Sequence, residues 1–591
     1  MKKPILFLAS LILSSEWTIA HAQNVIQKNE ITVIEDFKSA VINHDKWSGN
    51  AVIIDSKTEF NKDIIDCGPK LAKLSVMEKG KVTLVFSKLT VKEASILSFR
   101  YRTELLSQFG QTAKFYVNNT ERAVMDGAAL GWRIERISLP AGEYNLRFET
   151  ENVRGIKIVG GHNALYIDEI TLFPDKISSI VLRPRGEQHT YIGAQGSEKL
   201  RFKAEALLPD GFPKQDAGKF VYSASDGAID KDGFWTPAST GNFTVTATLG
   251  NFSVISSRIV VHSGDFLKQP FKYQGTGKTY KGYTGGARAE TAVPMPARKT
   301  LTITNPQTAE FEADGFFLLE GIVNNPKGKN YARILVRKID DTKEEGIVNV
   351  KNSTPQKLET WYIVKDTFAR RIWLPFGRGA YRIELIEFDS ALVTTPPNGE
   401  GMFRGGSYSQ EPLAFTVYNT REETGVDGDG RWIYPSFNIQ SDDFRIENLA
   451  NDITFGIKTD YEKIRAIHDH AVSSLKYDTI SFSNSGHSRK MDALSVLNNG
   501  TAVCDGYSNL SAALLRCAGI PCRITVNKAL LHSWNQVWIN NTWKLYDATW
   551  DDLVPDKGPD VIQHTYFLLD SLSGGDTRHR GSGIVIIGDV E

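Results

Sequence analysis

Apolar residues recur at every second position along most of this chain and switch to a helical spacing only near its end. Residues 82–86 form an apolar, β-branched run, 144–148 carry the two-residue period of a half-buried strand after the turn at Leu139-Pro140-Ala141-Gly142, and 166–172 read as a closing strand before Pro174. Turn signals at Leu208-Pro209-Asp210-Gly211 and Asp230-Lys231-Asp232-Gly233 frame a second β region, in which 242–248 alternates cleanly before Gly250-Asn251. Runs 316–323, 332–336, 381–388 and 413–417 predict a third. The Gly/Pro/Ser-rich stretches 264–300 and 391–411 read as loops or linkers. From about 421 the period changes. Helices are predicted over 443–454 and 460–475, the second with Ile464, Ile467, Ala471 and Leu475 on one stripe and Asp460 as its N-cap. A further stripe, Tyr507, Leu510, Leu514 and Cys517, follows Cys504. Residues 531–539 and 542–549 then read as strands joined by Asn540-Asn541.

The pattern predicts a multidomain chain, with N-terminal all-β sandwich modules followed by an α+β domain. The 591 residues exceed what one core can hold. The expected divisions are a leader over 1–22, β domains over 23–176, 177–263 and 264–420, and a final domain over 421–591. Lys2 and Lys3, a short apolar run over 4–13 and Ala20-His21-Ala22 form a secretory signal pattern with cleavage after Ala22. The mature chain is therefore expected to be secreted or extracytoplasmic. No later run approaches the length of a transmembrane anchor. Charge balances at 69 basic against 69 acidic residues, without the basic excess of a nucleic-acid binder. Four cysteines are too few for a disulfide scaffold and none forms a CxxC pair, so neither a structural zinc nor any cofactor is expected. The spacing of Cys517 and Cys522 permits a disulfide. Asp427-Gly428-Asp429-Gly430 reads as a linker turn, because the later ligands of a calcium loop are missing.

Cys504 carries the sharpest chemical signal. Gly500 and Thr501 precede it and the helical stripe follows, which puts the thiol at a helix N-terminus. Unpaired N–H groups and the helix dipole there favour an anion, lower a thiol pKa and can hold an oxyanion. An inert buried cysteine fits the same position taken alone. The downstream strands tip the balance. Pairing 539 with 542 sets 534 opposite 547 and 532 opposite 549, so His532, Trp534 and Asp547 share one face. His532 and Asp547 become diagonal neighbours, roughly 7–8 Å apart by backbone position. The carboxylate can then hold the imidazole in the tautomer that accepts a thiol proton. Trp534 is placed to wall the site beside His532, whereas Trp538, Trp543 and Trp550 read as core. Tyr477 is open to two readings, oxyanion support or core packing. His468 and His470 point to different sides of a helix, and His487, His564 and His579 lack metal-ligand spacing.

The ordered set Cys504-Asp505-Gly506-Tyr507-Ser508, Ala518-Gly519-Ile520-Pro521-Cys522-Arg523, His532-Ser533-Trp534-Asn535-Gln536-Val537, residues 543–552 and Tyr566-Phe567-Leu568-Leu569 resembles the transglutaminase-like superfamily over about 430–580. One departure is His470, where the family more often has Trp. The resemblance implies a papain-like fold, with Cys504 as nucleophile, His532 as general base and acid, and Asp547 as orienter. It implies acyl transfer from a glutamine or peptide amide through a Cys504 thioester, with an amine or water as acceptor. Proteins or cell-wall peptides are the expected substrates. Residues 23–176 resemble the jelly-roll accessory modules of secreted bacterial proteins, which often bind carbohydrate, and 177–263 resemble a bacterial immunoglobulin-like repeat. A surface polysaccharide is accordingly a second expected partner. The competing expectation is a non-enzymatic adhesion or carbohydrate-binding protein on the same fold. The intact Cys504, His532 and Asp547 argue against it.

Overall fold

The computed structural model describes residues 32–35, 47–55, 70–76, 78–105, 109–125, 132–156, 163–193, 196–264, 266–269, 271–273, 277–287, 294–324, 331–339, 359–387, 393–394, 402–403, 411–422, 425–426, 430–479, 490–527, 531–552, 562–570, 579 and 584–587. The expected leader, Cys67, His487 and the turn at 427–429 lie outside these residues, as does most of 391–411.

The N-terminal alternation becomes two facing sheets. One has the strand order Val52–Asp55, Lys70–Ser75, Ala164–Pro174, Ser95–Thr103, Arg133–Leu139. The other runs Trp47–Gly49, Gly80–Val91, Gly142–Asn152, Gln111–Val117, Thr120–Val124. Leu97, Phe99, Leu165 and Ile167 point inward from the first and Leu84, Phe115, Val117 and Phe148 from the second. The Phe99 ring lies 4.8 Å from Phe115 and 4.9 Å from Phe148. Each ring buried this way is worth roughly 1.5–3 kcal/mol. This is the expected β-sandwich. The turn at Pro140-Ala141 carries the chain from one sheet to the other, because Arg133–Leu139 pairs with Ser95–Thr103 while Gly142–Asn152 pairs with Gly80–Val91.

The second β region packs around the fully buried Trp235. Its alternating run 242–248 is not one strand. Gly241–Phe243 pairs with Ile259–Ser263, and Val245–Leu249 pairs with Val221–Ala224 and Phe252–Ile255, so the run changes sheet at Thr244. The third region joins a six-stranded sheet to a three-stranded one over Phe311, Phe317, Ile334, Ile383 and Phe415.

The stretch 264–300 is more ordered than its Gly-rich composition suggested. It holds strands Phe271–Tyr273, Lys278–Tyr280 and Gly282–Ala287. Tyr273 and Tyr280 are fully buried in a cluster with Phe316, Trp373, Ile433 and Tyr434. The Tyr273 hydroxyl donates to the Ile433 carbonyl at 2.6 Å, and Trp373 Nε1 donates to Asp442 Oδ2 at 2.9 Å. These contacts fasten the third β region to the start of the helical one.

A second fastening reaches back to the second β region. Helix Phe444–Ile453 presents Asp452, whose Oδ1 accepts from the backbone N–H of Arg185 at 2.8 Å and from its Nε at 3.1 Å, and whose Oδ2 lies 3.3 Å from Arg183 Nη1. Asn448 exchanges two hydrogen bonds with the backbone of His189, at 2.7 and 2.8 Å. Helix Asp460–Ser474 starts one residue earlier than expected. Its cap is Thr459, whose Oγ1 accepts from the Glu462 N–H at 3.3 Å and donates to the Glu462 carboxylate at 2.6 Å, leaving Asp460 in the first turn.

These helices pack with Cys504–Cys517 against a five-stranded antiparallel sheet of order Phe567–Asp570, Thr542–Tyr546, His532–Ile539, Cys522–Asn527, Ile584–Ile587. Among the described residues, no helix is long and apolar enough to cross a membrane.

Candidate active site

A short sequence of backbone events places Cys504. Helix Ala493–Asn499 ends on Gly500, which takes the left-handed conformation at φ 66° and donates to the Val496 carbonyl. Thr501–Ala502 then pairs in parallel with Lys476–Tyr477, and Val503 opens the next helix without a side-chain cap. Cys504 is therefore the first helical residue, as expected. Gly506 lets the helix approach its neighbour. A Cβ there would meet Ala502 Cβ at 2.6 Å and Val496 Cγ2 at 2.8 Å. Gly506→Ala is accordingly expected to lower stability by about 1–3 kcal/mol through overpacking. A thermal melt unchanged from wild type would contradict this account of the glycine.

The hairpin register is the expected one. Ile539 pairs with Thr542, and Asn540 and Asn541 form the turn with φ of 52° and 59°. The second strand ends early, however, at Tyr546. Asp547 leaves the ladder and caps the short helix Ala548–Asp551, its Oδ1 accepting from the N–H groups of Thr549 at 3.0 Å and Trp550 at 3.2 Å. This cap turns Oδ2 toward His532. Nε2 of His532 donates to it at 2.7 Å, and both groups are buried. Because a carboxylate only accepts, Nε2 must carry the proton, and Nδ1 is left as the basic ring nitrogen.

Cys504 is only 8 % exposed. Its Sγ lies 3.9 Å from Asp505 Oδ1 and 4.0 Å from the Leu531 carbonyl oxygen. Burial pushes the thiol up to about 12. The Asp505 charge adds to this, and hydrogen bonds with Ser533 oppose it. The expectation of a thiol lowered by the helix terminus is thus overturned in this resting state. Desolvation leads and the neighbouring carboxylate adds to it, both raising the thiol. Ser533 also donates to Asp505 at 2.7 Å, which ties the residue after His532 to the residue after Cys504.

Aromatic rings surround the imidazole. Trp534 lies beside His532 as expected, with centroids 5.7 Å apart. Trp550, read from the sequence as core, is the closer partner, stacked on His532 at 4.3 Å with the rings 2° from parallel. The cap explains the difference, since the helix begun at Asp547 swings Trp550 back over the site. Tyr477 is half-buried near Cys504. Burial raises its phenol to about 12, with the charges of Cys504, Asp505 and Asp478 adding.

His579 carried no signal in the sequence, yet it reaches Asp547. Its Nε2 lies 3.0 Å from the same Oδ2 that His532 uses. Asp547 is held below the usual carboxylate range. Burial works to raise it, but hydrogen bonds from His532 and His579 and their charges prevail.

A second polar cluster lies at the other end of the short helix. His468 is fully buried, with Nδ1 3.2 Å from Asp469 Oδ1 and Nε2 3.1 Å from Asp551 Oδ2, and His564 Nε2 lies 2.6 Å from Asp469 Oδ1. Burial pushes Asp551 up. At Asp469 the same burial is outweighed by His564, His468 and Arg465, which hold it well below the ordinary range. Among the described residues, His468, Asp469 and His564 form one group able to offer three metal ligands, and His532, Asp547 and His579 form the other. Neither grouping was visible as sequence spacing. Cys517 and Cys522 are free buried thiols, not a disulfide. Cys517 lies toward Glu447 and Asp442, while Cys522 lies against Asn535.

Comparison with known proteins adds the following. Residues 447–548 match the family model described as the Transglutaminase-like superfamily. Kyphoscoliosis peptidase of Homo sapiens is 25% identical over 141 residues, which is 21% of this chain and 21% of that protein. The chain thus matches about a fifth of the length of the curated relatives found. Among solved structures, a putative cysteine protease from Cytophaga hutchinsonii is 17% identical, covering 49% of this chain and 88% of its own, with a TM-score of 0.19. The C-terminal CBM6 of LamC from Zobellia galactanivorans is 9% identical, covering 24% of this chain and 98% of its own, with a TM-score of 0.16.

Proposed function

Given that the C-terminal region of this chain belongs to the transglutaminase-like superfamily, we propose that it is a thiol enzyme of acyl transfer with Cys504 as nucleophile, His532 as general base and acid, and Asp547 as orienter. The observation that carries this reading is the bond from His532 Nε2 to Asp547 Oδ2 at 2.7 Å. It puts the ring proton on Nε2 and supports Nδ1 as the base for the thiol.

The buried thiol sets the order of events. At neutral pH Cys504 is protonated in the resting state. Deprotonation must therefore accompany attack. As Sγ bonds to the amide carbonyl carbon, its proton passes to His532 Nδ1 and the carbonyl becomes an oxyanion. N–H groups at the start of the Cys504 helix are candidate donors for that charge, with Tyr477 as a further one. His532 then gives the proton to the leaving nitrogen, the C–N bond breaks and a thioester remains. Water or an amine, deprotonated in turn by His532, displaces the thiol. The rings of Trp534 and Trp550 keep the imidazole in a dry setting that favours this relay.

The substrate class we propose is a glutamine or peptide amide in a protein or cell-wall peptide. We further propose that the leader pattern directs export, and that the β-sandwich regions divide at about 176, 263 and 420 and hold the enzyme near its substrate, including at a surface polysaccharide. The test is to incubate the full chain, and its Cys504→Ala variant, with a glutamine peptide and a primary amine. Cys504-dependent amine incorporation assigns cross-linking, ammonia release alone assigns deamidation, and backbone cleavage assigns a protease. Absence of every Cys504-dependent product across a broad panel of peptides and esters would favour the adhesion reading.

A further inference from the structure

Asp547 receives more donors than an orienting carboxylate needs. Oδ1 takes two backbone N–H groups and Oδ2 takes two imidazoles, His532 at 2.7 Å and His579 at 3.0 Å. Four donors fill all the acceptor positions of a carboxylate. His579 comes from a segment far beyond the cap, 32 residues after Asp547, and is itself buried at 5 % exposure. Its ring is boxed by Trp550 at 4.5 Å, Trp534 at 4.8 Å and Tyr566 at 5.1 Å. Two of these rings also flank His532, Trp550 stacked on it and Trp534 beside it, while Tyr566 meets Trp550 edge-on. A histidine packed there for bulk alone has no need to aim a nitrogen at that one oxygen.

We infer that His579 is a positioning residue of the thiol site, a second imidazole that shares the Oδ2 of Asp547 with His532 and so sets both the aim and the strength of the carboxylate's hold on the base. The inference rests on the proposed roles of Cys504, His532 and Asp547.

The physical consequence has a sign. Oδ2 divides its negative charge between two donors. With His579 gone, all of it falls on His532, and the carboxylate's hold on the base strengthens. The carboxylate plane also loses one of its four anchors. Among the described residues, the ionisable groups facing this set are Cys504 and Asp505 on the Cys504 helix, Asp547 at the cap, Tyr477 on its short strand and Tyr566 beside His579. These carboxylates and tyrosines are common to wild type and variants. The pH profiles therefore compare chains that differ only at His579.

The experiment uses the full chain and p-nitrophenyl acetate, a probe that needs no knowledge of the natural amide. Cys504 Sγ bonds to the acetyl carbon as the C–O bond breaks, p-nitrophenolate leaves, and the thiol proton passes through His532 to water. The burst amplitude counts acyl-enzyme and the burst rate is followed against pH. Wild type should show a burst that Cys504→Ala lacks. His579→Phe, which keeps an aromatic body but no donor, should slow the burst about tenfold, the lower end for one charge-assisted hydrogen bond. It should also move the acid limb up by about one pH unit. His579→Gln, which restores a donor, should bring both back toward wild type, and His579→Met covers the case in which the phenylalanine variant does not fold. A wild-type acid limb in folded His579→Phe or His579→Met overturns the inference, even if the rate falls, and leaves the thiol-enzyme reading standing. Absence of a Cys504-dependent burst in wild type overturns both.

Discussion

Cys504→Ala is expected to remove turnover by a factor of about 10⁴ or more while leaving the fold intact. The magnitude follows from covalent catalysis, in which the nucleophile, base and orienter act as one unit and loss of the attacking atom is not compensated by the others. The structural cost is small by comparison. The substitution deletes one sulfur from a group whose weak contacts are the Asp505 carboxylate and the Leu531 carbonyl. It also removes a buried group that helps to raise Tyr477. The two readouts should therefore separate. Product formation by the alanine variant should fall to background, while its urea midpoint stays within about 0.5 M of wild type, a shift of roughly 1 kcal/mol. A variant that keeps a tenth of wild-type turnover would remove Cys504 from the mechanism. The raised thiol adds a further expectation. Because Cys504 is not a standing thiolate at neutral pH, His532→Ala should be almost as damaging as Cys504→Ala.

The second large effect is expected at Asp547. Asp547→Asn keeps an oxygen to cap the Thr549 and Trp550 N–H groups but offers an amide N–H₂ where His532 Nε2 now donates. The imidazole must then accept at Nε2, carry its proton on Nδ1 and lose the lone pair that serves the thiol. In triads of this logic the wrong tautomer costs about 10⁴ in kcat with little change in geometry. Stability should respond with a distinct pH dependence. The carboxylate sits below its unfolded value, so its contribution is fully present above the unfolded pKa of roughly 3.9 and is lost as pH falls through the lower folded value. The wild-type chain should exceed Asp547→Asn in stability at pH 7, and the gap should close on acidification below about pH 4. Urea melts of both chains at the two pH values measure this. A gap that widens in acid would reverse the assigned electrostatics.

The sequence made some of this site readable because local chemistry determined it. Asn540 and Asn541 accept the positive φ that a two-residue turn demands, and the register from Ile539 to Thr542 follows. Gly500 and Thr501 likewise marked the turn ahead of the Cys504 helix. What escaped depended on burial and on distant segments. Asp547 was placed near His532 for a partly mistaken reason, since it is the cap after Tyr546 and not strand alternation that turns its Oδ2 inward. The helix start at Cys504 was visible, but the solvent exclusion and the Asp505 charge that reverse its expected acidity were not. His579 and His564 sit in stretches with no periodicity to read, and only the folded chain brings them to Asp547 and Asp469. The Gly-rich composition of 264–300 likewise concealed Tyr273 and Tyr280, whose burial depends on Trp373 and Tyr434 far along the chain.

The fastenings around that tyrosine cluster bear on how the catalytic region can be inherited. A fragment beginning at 421 would retain all of the proposed triad. It would also lay Ile433 and Tyr434 open to water, strip Asp442 of the Trp373 indole and leave Asp452 without Arg183 or Arg185. Such a piece resembles a tool head cut from its handle through the joint. Recombination that moves the thiol chemistry into another chain must carry the preceding two β regions with it, or invent replacements for both joints at once.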